Sequence, residues 1–364
     1  MPILIAILIF GVLVIVHEWG HFYAARRAGI FVEEFAVGMG PLIISKRDKI
    51  GTLYSIRLLP IGGYCKMYGM EGTDPAADET TTPARPEHES YQNKHVLARM
   101  AVIGAGSFMN FVLSFVLLLV IVSSTGFASL NVGSVAPNSP GQVAGLQVGD
   151  RVTHIGGRRL FIFQDAGPAL AAVGGNATTM RVVREGQALV LPVTPERGPA
   201  GNYIIGFNSR TYAGLFESDT ALPNASVAQV VAQSFNTTVH FTRLIGYSLL
   251  QLVTLNVSMD DVAGPVGIVG IIGDVYQAAA TVSPWVVVLH MLNLGALLSA
   301  NLGLFNLLPI PALDGGRLVF LTLEAVRGKA INPEKEGMVH LVGFVLLLGL
   351  IVVVFFNDIA NLFR

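Results

Sequence analysis

Four stretches of this chain stay apolar for long enough to carry a helix across a hydrocarbon core of roughly 30 Å: about 3–25, 101–123, 284–308 and 339–356. The first is uniformly apolar as far as Val16 and then turns polar within about one helical turn. A cleaved leader would carry basic residues before its apolar run and small residues after it. Here Arg26 and Arg27 follow the run, and His17-Glu18-Trp19-Gly20-His21 stands where a cleavage site would need small side chains. The pattern therefore predicts a retained span.

Between the second and third spans the periodicity changes. From Val132 to about Thr194 the chain alternates short strand-like runs with turn signals: VGSVAPNSP, a short helix ending at GLQVGD, RVTHIGG, a helix near Gln164–Val173, then the strands TTMRVVRE and ALVLPVTP. This predicts a small strand-rich binding module. Beyond it, Ser226 to about Val253 spaces its apolar residues like an amphipathic helix that could lie on a membrane face. The divisions expected from these patterns are a first span (1–25), a β-rich cytoplasmic loop and linker (26–98), a second span (99–124) and the strand-rich module (125–200). An extracytoplasmic amphipathic, membrane-surface region (201–283) follows, then a third span with the segment after it (284–327), a cytoplasmic loop (328–338) and a fourth span with the C-terminus (339–364).

Composition narrows the class. The 364 residues are 52% hydrophobic and 13% charged, where soluble domains carry about 25% charged residues. Disorder would need low hydrophobicity, and a disulfide scaffold needs more than Cys65, the single cysteine. A net charge of −1 offers no global field for phosphates, so no nucleic-acid partner is expected. The partner is a lipid bilayer. Lys and Arg crowd 26–98 and recur at Arg327, Lys329 and Lys335, while no lysine occurs between Lys94 and Lys329. Positive residues stay in the cytoplasm, which places those two loops inside and both termini outside. Asp74–Glu89, rich in Asp, Glu, Thr and Pro, has the composition of a flexible linker, and His95, His154 and His240 are expected to be surface or packing residues.

The chemistry begins at HEWGH. Histidines at i and i+4 share one helix face and can hold one metal ion, with the Glu between them placed to work on water. Ionisable groups at the end of a membrane span are costly without partners, which favours function over accident. The bland alternative is a helix end that simply meets water. A catalytic metal needs a third protein ligand, and His290, Asp314, His340 and Asp358 are the candidates near membrane depth. Asp358 falls at the far end of the fourth span, and His340 has no partner motif. Asp314 lies in Asn306-Leu307-Leu308-Pro309-Ile310-Pro311-Ala312-Leu313-Asp314-Gly315-Gly316, where two prolines must break the helix. Broken helices at such depth line protein or a water-filled cavity, so a carboxylate there reads as a ligand, with a helix-capping role as the alternative. The Asn306 amide could hold a peptide carbonyl or developing oxyanion, or bond another span; spacing does not separate these.

HEWGH in the first span, NLLPIPALDGG after the third and the insert between spans two and three resemble the site-2 proteases, intramembrane zinc metalloproteases, and within them the bacterial regulator-of-sigma-E branch. RLLPIGGYCKMYG (57–69), MNF (109–111) and GPVGI (264–268) are similar to further segments of that family, and VAPNSPGQVAGLQVGD resembles its PDZ domain. Two departures stand out. Ser107 occupies a position where the family usually has proline, and the insert has room for one PDZ-like unit where some relatives carry two.

The resemblance implies a mainly α-helical polytopic membrane protein with four transmembrane helices. A membrane-associated β-hairpin or sheet would lie within Phe35–Met67, and the extracytoplasmic domain would be α+β and PDZ-like. It implies Zn2+ held by His17, His21 and Asp314, with Glu18 as general base and Asn306 contacting substrate. Substrates would be single-span membrane proteins, such as anti-sigma factors already trimmed by an upstream site-1-type protease in a stress response, and remnant signal peptides. The location would be the inner membrane, with the active site toward the cytoplasm. A membrane-anchored PDZ scaffold with an inactive zinc site and a metal or ion transporter are the competing classes. A scaffold should have lost Glu18, and a transporter should show paired broken helices in related repeats.

Overall fold

Backbone at membrane depth must satisfy its own hydrogen bonds, and the long apolar stretches accordingly fold as helices. The computed structural model describes residues 2–70, 85–215, 222–254 and 264–362. In chain order the elements are α1 (Pro2–Arg27), β1 (Val32–Arg47), β2 (Leu53–Met67), α2 (Val96–Thr125), β3 (Phe127–Val135), α3 (Pro140–Val143), β4 (Arg151–Ile155), β5 (Arg158–Arg159), α4 (Ala166–Val173), β6 (Thr178–Arg184), β7 (Gln187–Val193), β8 (Glu196–Arg197), β9 (Tyr203–Ile204), β10 (Phe207–Tyr212), α5 (Val227–Val253), α6 (Pro265–Ala280), α7 (Pro284–Asn306), α8 (Asp314–Arg327) and α9 (Pro333–Leu362). The chain is mostly helical with some sheet. Among the described residues, α1, α2, α7 and most of α9 are long and apolar enough to cross a membrane. Most of the linker expected over 74–89 lies outside the described residues.

The chain divides into two compact units, Met1–Ser114 with Leu244–Arg364, and Phe115–Arg243. In the first, α1 packs on β1, β2, α6 and α7. Ala25, Ile30, Val32, Met67, Val102 and Ile103 form a buried core where α1, the sheet and α2 meet. The sheet is more folded than a plain hairpin. Phe35 lies opposite both Tyr54 and Cys65, and Ala36 opposite both Ser55 and Tyr64. Residues 34–37 therefore have partners on two sides, and residues 63–67 form an outer edge. Met39, Leu42, Ile43, Ile44, Leu58 and Leu59 leave an exposed apolar surface on this sheet.

Helix α6 is a finding that periodicity did not supply. The region 201–283 reads as surface-lying, yet 265–280 forms an apolar helix packed against α7, α1 and α9. It is too short to count as a span. Asp358, a candidate ligand by sequence, serves this helix instead. Its carboxylate accepts from the backbone N–H groups of Gly264, Val266 and Gly267 at 2.9–3.0 Å, which neutralises the first orphan donors of α6.

The second unit carries a six-stranded sheet in the order β10-β3-β4-β6-β7, with β5 paired to β4. Its core is built from Val132, Val152, Ile155, Met180 and Val182. The strands at 178–184 and 187–193 fall on TTMRVVRE and ALVLPVTP. Strand β10 joins β3 beyond residue 200, so the sheet continues past the boundary expected at 200. His240 is more than a packing residue, since its Nδ1 lies 2.7 Å from Asp165 Oδ1 and ties α5 to the segment before α4.

Asp150 anchors this unit. Arg184 donates to both of its oxygens, from Nε at 2.7 Å and from a terminal nitrogen at 2.8 Å, and the Gln147 N–H adds a third bond. The Arg184 pairing holds the Asp150 carboxyl below its usual range. A depressed carboxyl contributes stability that is present above the unfolded-state value of about 3.9 and is lost as pH falls toward the folded value. Hydrogen exchange in β4 and β6, corrected for intrinsic rates, is expected to accelerate below about pH 4 in the native chain. In Asp150→Asn those strands should exchange faster already at neutral pH, with a flatter acid dependence. Identical acid profiles would remove Asp150 as the anchor.

Candidate active site

The HEWGH segment is helical because it continues α1 without a break to Arg27. Residues four apart share a helix face, and this spacing sets the His17 and His21 rings edge to face with centroids 4.8 Å apart. Both are buried. Pro309 and Pro311 then interrupt the chain after α7, and Ala312 takes a left-handed φ of 75° before α8 begins. A Cβ on Gly315 would meet the Leu308 carbonyl oxygen at 2.0 Å, and one on Gly316 the Ile310 oxygen at 2.6 Å. The glycine pair is what lets the turn fold back on its own helix.

That turn delivers Asp314. Its Oδ2 lies 3.1 Å from His17 Nε2 and 3.2 Å from His21 Nε2. Asp314 does not cap α8: it is the helix's first residue, and among the described residues no side chain caps that end. The third-ligand candidates thus separate. Asp314 joins the histidines, Asp358 caps α6, and exposed His290 stands outside the cluster. His340 accepts the Ala312 N–H at Nδ1, 2.8 Å away, and so props the turn carrying Asp314.

The donor set fits a zinc ion. Asp314 Oδ2 is buried, and two imidazole nitrogens converge on it within 3.2 Å. Two His nitrogens and one carboxylate oxygen make a zinc set that leaves a coordination position open. His21 is already oriented, because its Nδ1–H donates to the Val102 carbonyl at 2.9 Å. That bond leaves Nε2 with its lone pair outward.

Glu18 is half-buried and lines the same cavity of about 460 Å³, together with Tyr64, Cys65, Lys66 and Met67 of β2. The outer edge of the sheet therefore runs along the cavity wall. Asn306 is the last residue of α7 and is half-buried, and it is not among the residues lining this cavity. Asn110, by contrast, is a residue of this site that the spacing of sequence motifs does not single out. It is fully buried in α2, and its amide lies 3.1 Å from His17 Nδ1. The signal available for it was the MNF segment at 109–111.

A helix-borne HExxH pair and a carboxylate from a broken helix, set in a chain with four membrane-length helices, define an intramembrane metallopeptidase. The chain belongs to peptidase family M50, the site-2 proteases, whose profile matches residues 5–350. It is a zinc metalloprotease and a multi-pass membrane protein. A Clostridium perfringens protein that carries a zinc metalloprotease name is 37% identical over 361 residues, covering 99% of this chain and 98% of that one. The zinc metalloproteases RasP of Oceanobacillus iheyensis and Geobacillus kaustophilus are each 32% identical, covering 98% of this chain and 98% and 97% of their own lengths.

Proposed function

We propose that this protease cuts single-span membrane proteins within or beside their spans, with His17, His21 and Asp314 holding the zinc. The convergence of those three donors, two buried and one half-buried, on one point carries the reading. Zinc bound there would polarise the substrate carbonyl and acidify its water. Glu18, beside the ligands in sequence and facing the same cavity, takes the proton of the attacking water and returns it to the leaving amine. The peptide bond breaks to leave a carboxylate on the upstream fragment and an amine on the downstream one. Asn306 contacts the substrate from the end of α7, a role supported by the family pattern.

A helical substrate hides its peptide bonds in its own hydrogen bonds, so it must unwind before attack. The outer edge at 63–67, facing the cavity that holds Glu18, supports strand addition as the way an unwound segment is held. The exposed apolar side chains around Met39 and Leu42 favour a membrane-associated position for this sheet. The Lys and Arg distribution supports a cytoplasmic-side active site with both termini outside the cytoplasm. We read the strand-rich unit as a PDZ-like domain that screens substrates whose outer domain a site-1-type protease has shortened, anti-sigma factors and remnant signal peptides among them.

Two tagged single-span substrates in liposomes, identical except for a Gly-Pro pair inside the span, test the reading. The interrupted substrate should be cut several-fold faster, and chelation should stop both reactions until zinc is returned. Equal rates would remove the unwinding requirement, and cleavage that survives complete zinc removal would overturn the metal role.

A further inference from the structure

The two histidines face one problem and have different neighbours for solving it. A neutral imidazole carries a single N–H, so a ring that ligates through Nε2 must keep its proton on Nδ1 and find an acceptor there. His21 has a fixed acceptor, the Val102 carbonyl. For His17 the neighbour is the side chain of Asn110, whose Nδ2 stands 3.1 Å from His17 Nδ1. With the NH2 group toward Nδ1, that nitrogen would be the acceptor and the ring proton would sit on Nε2, facing Asp314 Oδ2 3.1 Å away.

The Asn110 amide can also serve the opposite tautomer. Its Oδ1 is buried with no partner among the described residues. The residue itself is pinned, because Ser299 Oγ donates to the Asn110 backbone carbonyl at 2.8 Å and Gly303 lets α7 approach within van der Waals reach of Asn110 Cβ. A half-turn of the amide about its last bond exchanges Oδ1 for Nδ2 without moving the helix. Oδ1 then accepts from His17 Nδ1–H and leaves Nε2 bare.

We infer that Asn110 is the positioning residue of His17, and that its amide turns to present oxygen when His17 ligates zinc. Amide orientation, His17 tautomer and zinc affinity are then one coupled equilibrium. The inference rests on the proposed zinc ligation by His17, His21 and Asp314. It assigns the asparagine of the second span a role on the metal, reached through the histidine rather than by contact with substrate.

The test measures zinc affinity by competition with a chromogenic chelator on purified full-length chain: native, Asn110→Ala and Asn110→Asp. Native protein should bind about one zinc per chain, as a three-ligand site requires. If native protein binds none, the zinc reading itself has failed. Asn110→Ala removes the acceptor and should weaken zinc by about 10–100-fold, the usual cost of losing such a partner. Asn110→Asp offers oxygen only and should bind as tightly as native or more so. A mere packing role forecasts the reverse order, since an unpaired buried carboxylate is worse tolerated than a small apolar group. Native-like affinity in Asn110→Ala, or weaker binding by Asn110→Asp than by Asn110→Ala, overturns the inference. Nitrogen-15 spectra of histidine-labelled native protein keep it testable if a variant does not fold. Zinc should move the His17 proton from Nε2 to Nδ1, and a tautomer unchanged by zinc would overturn the inference too.

Discussion

Glu18→Gln is expected to lower peptide-bond cleavage by about 10²–10⁴-fold, the range that a positioned acid–base group supplies, while the zinc content stays near that of the native chain. Gln has the shape of Glu and can still hydrogen-bond, but it cannot accept a proton from water at neutral pH. Glu18 touches neither Asp314 nor the two imidazoles in any hydrogen bond or ion pair found among the described residues, so its replacement leaves the proposed ligand triangle intact. Its carboxylate shares the cavity with the triangle and with the sheet edge at Tyr64–Met67, where an extended substrate would lie. Asp314→Ala should behave differently, losing zinc and cleavage together. Quantifying both zinc and cleavage of a tagged single-span substrate in each variant separates proton transfer from ligation. Full activity in Glu18→Gln would mean that another group accepts the proton, and Lys66, in the same cavity wall, would be the next to replace.

What could be seen in the sequence was what local spacing encodes. The i, i+4 histidines, the proline-broken segment before Asp314 and the strands of the insert all rest on contacts a few residues apart, and the structure has each where the pattern put it. The parts that stayed hidden depend on partners far along the chain. Asn110 meets His17 across 93 positions, and Asp358 caps a helix 94 positions earlier. His240 finds Asp165 at a separation of 75. No periodicity of 2 or 3.6 carries such pairings. Helix α6 escaped for another reason: at 16 residues it falls short of the length by which spans are read. The doubled register of β1 with β2 is equally silent in the sequence, because glycine-rich runs specify register weakly.

Gly106→Ala should disable the site as thoroughly as loss of a ligand, though it adds a single methyl group. A Cβ at Gly106 would stand 2.4 Å from His21 Nε2 and 2.8 Å from His17 Cε1. Something must give, and what stands there is the pair of imidazole rings proposed to hold zinc. α2 cannot easily withdraw, because Gly20 packs its bare Cα against the Ala105 backbone, where a Cβ would lie 2.4 Å from the carbonyl oxygen. The rings must swing out of the triangle with Asp314, and zinc affinity should fall by about 100-fold, the upper end of the cost of losing a group that orients a ligand. Helix weakening is not an alternative cause, since alanine is favoured over glycine within a helix by about 1 kcal/mol. Gly104 provides the control two residues away: no atom lies within 4 Å of where its Cβ would be. Gly104→Ala should keep native zinc affinity and cleavage, with equal or slightly higher thermal stability. Should Gly106→Ala bind zinc like the native chain, the imidazoles would have another place to go, and close approach of α1 and α2 would not be what sets the metal site.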